Sequence, residues 1–176
     1  MLTPSTPESP GAPVLMFLAS AEATADLGAV LARTAPWANA SSGLCLQLQG
    51  DLGAGKTSLA QGLLRGLGVR GAIPSPTYTL VEPYDTAHGR VLHVDLYRLN
   101  SIDELEPLGA RDEWLDCALL LVEWPEKGAS GLPPCDLRVE LAVAGEGRQA
   151  TLRAVSPAGL RWQQAVCSNA AEVDPR

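Results

Sequence analysis

A cluster of glycines followed by a lysine and a threonine is the part of the sequence with the clearest chemical meaning: Gly50-Asp51-Leu52-Gly53-Ala54-Gly55-Lys56-Thr57. Its spacing, G-x-x-x-x-G-K-T, is typical of a loop that wraps the phosphates of a nucleotide. Glycines let backbone N–H groups turn inward around phosphate oxygens without a clash from a Cβ atom. The lysine supplies a positive charge for the outer phosphates, and the threonine supplies a hydroxyl group for Mg²⁺. A glycine-rich turn that happens to precede a lysine is the alternative.

The residues on either side of this motif predict the elements that such a loop requires. The run Leu44 to Gln49 predicts a strand, and the run Ser58 to Leu67 predicts a helix that stops near Gly68. A helix that follows the loop adds the positive end of its dipole to the phosphate site. We therefore predict that ATP or ADP binds with Mg²⁺ through seven consecutive residues: Leu52, Gly53, Ala54, Gly55, Lys56, Thr57 and Ser58.

Two acidic residues could complete a nucleotide site. Glu123 ends the apolar run Leu119 to Val122, which predicts a buried parallel strand whose carboxyl end reaches a site. Asp95 lies in another predicted strand. Hydrolysis or transfer of a phosphoryl group needs carboxylates near Mg²⁺, so we predict that Asp95, Glu123 and Thr57 surround the metal. A helix-capping or salt-bridged acid is the alternative for Asp95, whereas Glu123 beside four apolar residues needs a partner.

Five further residues have a functional and an ordinary interpretation. Thr77 follows Ser-Pro, where switch proteins place a residue that senses the γ-phosphate and the metal, but it could be a turn hydroxyl. Trp124 could stack within the site or cover the core. Gly147 and Arg148 come at the turn of a predicted hairpin and could reach the nucleotide, although a solvated charge is the simpler interpretation of Arg148. We interpret His93 as a core histidine in preference to a proton relay.

Strands and helices alternate along the rest of the chain. The strands are predicted at Val14 to Leu18, Tyr78 to Tyr84, Arg90 to Tyr97, Ala118 to Glu123, Asp136 to Val143 and Gln149 to Val155. The helices are predicted at Ala21 to Thr34 with Ser20 as its N-cap, after Ser101, at Leu108 to Leu115 and at Pro157 to Cys167. Asp85 to Gly89 is predicted as a turn, and Trp124 to Pro134 as a loop. This order predicts an α/β phosphate-loop (P-loop) NTPase fold, with a mixed, mainly parallel central sheet flanked by helices and with hairpin strands.

Length and composition indicate one globular domain. The 176 residues are 46% hydrophobic, and no apolar run approaches the roughly 18 residues of a membrane span. We predict a disordered Pro-rich extension over residues 1–13, a single domain over residues 14–168 and a disordered tail over residues 169–176. The extension lacks the basic and apolar regions of a signal peptide.

Charge and cysteine content restrict the partners and the compartment. The net charge is −7 and no run of Lys or Arg occurs, which disfavours tight, direct binding to DNA or RNA. The four cysteines form no C-x-x-C pair, and Cys45 and Cys117 border apolar strands. Buried free thiols are therefore the favoured interpretation, and they point to a reducing, cytoplasmic setting.

Four segments in this order closely resemble the bacterial TsaE (YjeE) family: the glycine loop at 50–57, Ser75-Pro76-Thr77-Tyr78-Thr79-Leu80-Val81-Glu82-Pro83-Tyr84, His93-Val94-Asp95-Leu96-Tyr97-Arg98-Leu99, and Leu121-Val122-Glu123-Trp124-Pro125-Glu126. The resemblance runs from about Val14 to Val155. The glycine loop is generic, whereas the segments after Ser75 and around Glu123 are specific to the family.

This resemblance implies a P-loop ATPase required for forming threonylcarbamoyladenosine beside the anticodon of tRNAs that read ANN codons. In that family the protein works with the TsaD–TsaB pair, contacts tRNA only indirectly and does not perform the transfer itself. Carried over by motif, Lys56 and Thr57 contact phosphate and Mg²⁺, Asp95 and Glu123 lie around metal and water, and Thr77 belongs to a switch segment. Trp124 lies beside the site. Two departures are a serine at position 58, where a second threonine is common, and the Pro-rich extension.

Three other functions use similar residues. A small-molecule kinase needs a lid with arginines, and Ser101 to Leu115 contains only Arg111. A GTPase reads guanine with an N-K-x-D segment, which this sequence lacks. A non-catalytic nucleotide-binding scaffold would not need both acids, although slow turnover would be compatible with the sequence.

Overall fold

The computed structural model describes residues 11–39, 43–100, 104, 110–128 and 131–170. Most of the predicted extension, the end of the predicted tail, the helix predicted after Ser101 and the first residues of the helix predicted from Leu108 lie outside these ranges.

Strands and helices alternate along the described part of the chain. The strands are β1 (Val14–Leu18), β2 (Leu44–Gln49), β3 (Val81–Thr86), β4 (Gly89–Asp95), β5 (Leu119–Glu123), β6 (Leu137–Ala144) and β7 (Gly147–Ala154). The helices are α1 (Ala21–Thr34), α2 (Lys56–Gly66), α3 (Ala110–Asp116), α4 (Pro125–Gly128) and α5 (Pro157–Ala170), with a short 3-10 turn at Trp37–Asn39. In these ranges no helix combines the length and the apolar character that crossing a lipid bilayer demands.

Within the described residues, seven strands form one mixed sheet in the order β1-β7-β6-β2-β5-β4-β3. The central strands β6, β2, β5 and β4 run parallel to one another. The outer pairs β1–β7, β7–β6 and β4–β3 are antiparallel, and two of them are hairpins. The α/β class, the mixed sheet and the hairpins predicted from the sequence are confirmed.

Alternation of side chains along the central strands gives the sheet two apolar faces. On one face Leu46 and Leu121 pack with residues of α1, α2 and α5. On the other face Cys45 and Leu120 pack with Trp114 of α3 and with residues that follow β4. Both faces of the central strands are therefore covered, which is the arrangement that parallel strands require.

Helix α1 holds α2 in place through glycines at their contact. A Cβ atom on Gly62 would collide with the carbonyl oxygen of Ala25, and one on Gly28 would collide with that of Leu59. Because these glycines let the two backbones touch, α1 fixes the position of α2, which begins at the glycine loop. The predicted cap of α1 is confirmed, since the Ser20 side chain accepts a hydrogen bond of 3.1 Å from the Ala23 N–H.

The strand predicted from Tyr78 begins three residues later, at Val81. Residues 76–79 form a turn instead, which is followed by a bend at Leu80. The Leu80 N–H donates to the Pro76 carbonyl at 2.7 Å, and Leu80 has a φ of 67°. The hairpin that follows is tighter than predicted. Asp85 and Thr86 remain in β3, and they pair with Arg90 and Gly89 of β4.

Other boundaries also differ from the prediction. β4 ends at Asp95 rather than at Tyr97, because the Asp95 carboxylate accepts the Tyr97 N–H at 2.9 Å and turns the chain away. Helix α2 begins at Lys56, two residues earlier than predicted, and the predicted loop after Glu123 contains the short helix α4. β7 begins at Gly147, and α5 continues to Ala170, two residues into the predicted tail.

Candidate functional site

Parallel pairing brings the two predicted acids together. Asp95 is the last residue of β4 and Glu123 is the last residue of β5, and the register pairs them with each other. Glu123 also pairs with Leu48 of β2, which leads directly into the glycine loop. The carboxyl ends of adjacent parallel strands lie at one edge of a sheet, where ligands of α/β proteins bind.

Three glycines give the loop between β2 and α2 its shape. Gly50, Gly53 and Gly55 have φ values of 142°, 80° and 107°, which L-residues rarely adopt. A Cβ atom on Gly50 would collide with the Leu141 carbonyl oxygen, so this glycine lets the loop leave the sheet. A Cβ atom on Gly53 would meet nothing within 4 Å, so this part of the loop faces open space. The loop therefore combines a fixed base with an accessible backbone.

Lys56 is folded back onto this loop. Its Nζ donates to the carbonyl oxygens of Gly50 at 2.6 Å and Asp51 at 2.9 Å, and it lies 3.9 Å from the centre of the Trp124 ring. The residue is 4% exposed. Burial lowers the pKa of its ammonium group, and the nearby carboxylates, Glu123 foremost, oppose that shift. A buried ammonium group held by carbonyl oxygens and a ring can exchange these contacts for an anion.

Glu123 connects the loop to the sheet. The Thr57 Oγ1 donates to its Oε2 at 2.9 Å, and the His93 Nε2 lies 2.8 Å from its Oε1. Glu123 and His93 are both almost fully buried. A buried carboxylate is stable only with such hydrogen-bond partners, and here each oxygen has one.

Asp95 is held in a similar way. Its Oδ2 accepts from the Thr77 Oγ1 at 2.8 Å, and its Oδ1 accepts from the Tyr97 N–H. The Ser75 hydroxyl lies 2.6 Å from the Thr77 hydroxyl. The turn at 76–79 therefore places Thr77 against Asp95, and this contact links the segment after α2 to the end of β4.

Trp124, directly after Glu123, has a left-handed backbone conformation with a φ of 58°. Its N–H donates to the Leu48 carbonyl at 3.2 Å, and its ring lies 5.0 Å from the Tyr97 ring. A bulky residue with positive φ costs free energy that surrounding contacts must offset, and such strain clusters at functional sites. Trp124 belongs to the site and not to the core alone.

A cavity of about 270 Å³ lies among these groups. The predicted site residues that line it are Leu52, Gly53, Gly55, Lys56, Thr57, Ser58, Thr77, Asp95, Glu123 and Trp124. Ala54 is different, since its side chain is buried in the core beneath the loop and its N–H donates to the Asp51 carbonyl. Tyr97, which the sequence did not single out, also lines this cavity.

A second cavity, of about 310 Å³, lies on the other side of the loop and shares Gly53, Gly55 and Ser58 with the first. Gly147 and Arg148 line it, together with the first residues of α1. The Arg148 guanidinium donates to the Gly53 carbonyl at 3.2 Å, so it binds the loop and is not merely a solvated charge. The two cavities give the loop an open face on each side.

The interpretation of His93 as a core histidine missed its position beside the site. It is buried as expected, but its ring contacts Glu123. Side chains two residues apart on a strand share a face. The spacing of His93 and Asp95 in β4 was the signal that could have placed His93 beside the site.

The donor set suits a hard cation such as Mg²⁺. The hydroxyl of Thr57 and the carboxylates of Asp95 and Glu123 offer oxygen atoms, and Mg²⁺ commonly takes one or two carboxylates together with phosphate oxygens. In the ranges that the structure describes, no group of three or more His, Cys, Asp or Glu side chains could hold a metal on its own.

Comparisons with known proteins identify relatives in sequence and in structure. A family model described as "Threonylcarbamoyl adenosine biosynthesis protein TsaE" matches residues 18–151. The "tRNA threonylcarbamoyladenosine biosynthesis protein TsaE" of Haemophilus influenzae is 44% identical over 116 residues, which are 66% of this chain and 73% of that protein. The protein of the same name in Treponema pallidum is 37% identical over 132 residues, 74% of this chain and 92% of the relative. The crystal structure of Bacillus subtilis YdiB matches with a TM-score of 0.70 and 25% identity, over 90% of this chain and 96% of YdiB.

Proposed function

The chain belongs to the TsaE family, and on this premise we propose that it binds and hydrolyses ATP with Mg²⁺ as an accessory factor for tRNA threonylcarbamoylation. The modified base is the adenosine next to the anticodon of tRNAs that read ANN codons. The protein acts on a TsaD–TsaB-like complex in the cytoplasm and reaches tRNA only through that complex. The names of its relatives refer to this biosynthesis, which supports the role.

One observation carries the proposal of nucleotide hydrolysis. The Thr57 hydroxyl at the start of α2 donates to the Glu123 carboxylate at the end of β5, beside an open cavity. This contact joins the glycine loop to the acid that ends a buried parallel strand. The same pair of groups holds a metal and its nucleotide in P-loop enzymes.

The residues present fit an ATP–Mg²⁺ complex. The open backbone at Gly53 gives phosphate oxygens access to N–H groups, and the α2 N-terminus adds its dipole. Thr57, Glu123 and Asp95 would hold Mg²⁺ through their oxygens. When bound, Mg²⁺ neutralises charge that develops on the phosphate oxygens during hydrolysis.

The chain's own residues have distinct tasks in this proposal. Lys56 leaves the carbonyl oxygens of Gly50 and Asp51 and takes phosphate oxygens in their place. Asp95 orients the attacking water and accepts its proton. Thr77, bonded to Asp95, transmits the state of the site to the exposed segment that contains Tyr78.

We propose that the nucleoside end of ATP occupies the second cavity. This cavity begins at the loop residues Gly53 and Gly55 and is closed by Gly147 and Arg148. Arg148 is fixed by its hydrogen bond to the Gly53 carbonyl, so it can form one wall without large rearrangement. We assign the cofactor contacts predicted for Gly147 and Arg148 to this side.

Coupling to the partner complex requires that the partner distinguish nucleotide states. A ligand with equal affinity for two states shifts nothing, so the ATP and ADP forms must differ in affinity for the partner. We propose that hydrolysis by the isolated protein is weak and that the TsaD–TsaB-like pair accelerates it. The acidic net charge of −7 suits docking to a protein better than docking to tRNA.

Depletion in the host tests the proposal. Loss of the protein should lower threonylcarbamoyladenosine in ANN-decoding tRNA, measured by mass spectrometry of nucleosides, and the wild-type chain should restore it. The Lys56→Ala variant should not restore it. Normal modification after complete depletion would refute the cellular role and favour a small-molecule kinase.

A further inference from the structure

A buried histidine contacts the Glu123 carboxylate, which also accepts a hydrogen bond from the glycine loop. His93 is 0% exposed, and its Nε2 lies 2.8 Å from the Glu123 Oε1. The other oxygen of the same carboxylate, Oε2, accepts from the Thr57 hydroxyl. The two oxygens of Glu123 therefore have different partners, one inside the sheet and one in the loop.

We propose that His93 is a positioning residue for nucleotide-bound Mg²⁺: it fixes the Glu123 carboxylate in the orientation that presents Oε2 to Thr57. The proposal rests on the nucleotide site proposed above. Without a donor at Nε2, Oε1 would be a buried anionic oxygen with no partner, and the carboxylate would rotate towards another donor. Lys56 lines the same cavity as Glu123, and its ammonium group is a donor that could draw the carboxylate away from Thr57.

The surroundings of the ring favour one tautomer. The His93 Nδ1 is buried and has no hydrogen-bond partner among the described residues. A ring protonated on Nε2 donates to Glu123 and leaves Nδ1 as an unpaired acceptor. The opposite tautomer would bury an unpaired N–H and place a lone pair against a carboxylate oxygen, which is the less favourable arrangement.

The strand makes His93 a rigid support. β4 lies between β3 and β5, so its backbone is paired on both sides, and His93 itself pairs with Glu82 and Leu121. The same strand ends in Asp95, whose carboxylate has its own donors. Residues that orient a metal ligand in this way typically change metal affinity or activity by about 10- to 100-fold when they are removed.

Binding of a fluorescent ADP analogue at increasing Mg²⁺ concentrations provides the first test. The His93→Leu variant should need about 10- to 100-fold more Mg²⁺ for half-maximal binding than the wild type. The His93→Gln variant, whose amide can donate to Oε1, should recover most of this loss. Leu92→Ala is the matched control, since Leu92 is a buried neighbour on the same strand that packs in the other apolar cluster. It should lower the melting temperature while leaving the Mg²⁺ dependence at the wild-type value.

A folded His93→Leu variant with the Mg²⁺ dependence of the wild type would overturn the proposal. An equal increase in the Mg²⁺ requirement of Leu92→Ala would also overturn it, since the increase would then follow from reduced stability alone. If His93→Leu does not fold, the Mg²⁺ dependence of His93→Gln is compared with that of His93→Asn. The shorter Asn side chain should not reach Glu123, so His93→Asn should need more Mg²⁺ than His93→Gln. Equal Mg²⁺ dependence in these two variants would also refute the positioning role.

The tautomer of the wild-type protein gives a readout that requires no nucleotide. The chain has two histidines, His88 and His93, so a His88→Gln variant assigns the ring ¹⁵N signals in an NMR spectrum. The proposal predicts an Nε2-protonated ring for His93, and an Nδ1-protonated ring would contradict it. If the wild type fails to bind the ADP analogue at all, the proposed nucleotide function fails, while this spectrum still reports on the contact between His93 and Glu123.

Discussion

Thr57 and Glu123 are 66 residues apart in the chain, yet the Oγ1 of the first donates a hydrogen bond of 2.9 Å to the Oε2 of the second. This bond connects the glycine loop to the carboxyl end of β5. It depends on two independent features, the start of α2 at Lys56 and the parallel pairing of β2 with β5. A change at either residue should therefore affect the same function.

Substitutions at Thr57 and Glu123 should be coupled. Thr57→Val removes the hydroxyl but keeps the shape, and Glu123→Gln removes the charge. Each should lower ATP turnover, Glu123→Gln by about 10- to 100-fold, because changes to groups that hold or orient a metal typically cost this factor. The double variant should lose less than the sum, with a coupling of about 0.5–3 kcal/mol, measured in a double-mutant cycle of turnover rates. Thr57→Ser, which keeps the hydroxyl, is the control, and strictly additive losses would argue against the contact.

Lys56→Ala should weaken nucleotide binding. A contact with a charged group contributes about 1.5–3 kcal/mol, so affinity for ATP should fall roughly 10- to 100-fold. Isothermal titration calorimetry with ATP and Mg²⁺ measures this directly. Lys127→Ala is the matched control, because Lys127 is exposed on α4 and is the only other lysine in the chain. If Lys56→Ala bound ATP as tightly as the wild type, the glycine loop would not be part of the nucleotide site.

The contact between α1 and α2 predicts a large effect from a small substitution. Alanine is favoured over glycine in a helix by about 1 kcal/mol, so Gly62→Ala would stabilise a free helix. Here the new methyl group would meet the Ala25 carbonyl, and we expect a net loss of about 1–3 kcal/mol in unfolding free energy. Denaturant unfolding compares this variant with Gln164→Ala on the exposed face of α5, which should change little. A stabilised Gly62→Ala protein would show that the helices do not pack this closely.

The cysteines should differ in reactivity. Burial raises the pKa of Cys117 to about 11, and a hydrogen bond with Cys135 together with burial raises that of Cys45 well above its ordinary value. Only the thiolate reacts with iodoacetamide, so these buried thiols should stay unmodified in the folded protein at mildly alkaline pH, whereas the partly exposed Cys167 should react. Mass spectrometry of the native and denatured protein measures the difference. Rapid native labelling of Cys117 would contradict the described core.

Much of the architecture follows from local sequence patterns. The run Leu44 to Gln49 before the loop predicted β2 at its observed bounds, and the apolar run ending in Glu123 predicted β5 within one residue. β5 was predictable because burial on both faces of a central strand leaves a continuous apolar signature, and β2 was predictable because a strand precedes a glycine loop of this kind. The glycine loop was predictable because few other conformations need its residue types at that spacing.

The remaining details depend on contacts between distant segments. The turn at 76–79 shortened the strand predicted from Tyr78, because Thr77 bonds Asp95 and the Asp95 N–H donates to the Leu80 carbonyl. The contact of His93 with Glu123 and that of Arg148 with Gly53 join residues 30 and 95 positions apart. Periodicity reports only which face a residue occupies, and so it could not reveal these partners.

Steady-state turnover of ATP by the purified full chain, alone and with a TsaD–TsaB-like pair, tests the central claim most directly. We predict slow release of phosphate from ATP by the chain alone, a clear increase when the pair is added, and no release by Lys56→Ala in either case. GTP serves as the comparison nucleotide. An ATPase rate that does not respond to the pair, or a Lys56→Ala variant as active as the wild type, would contradict the account.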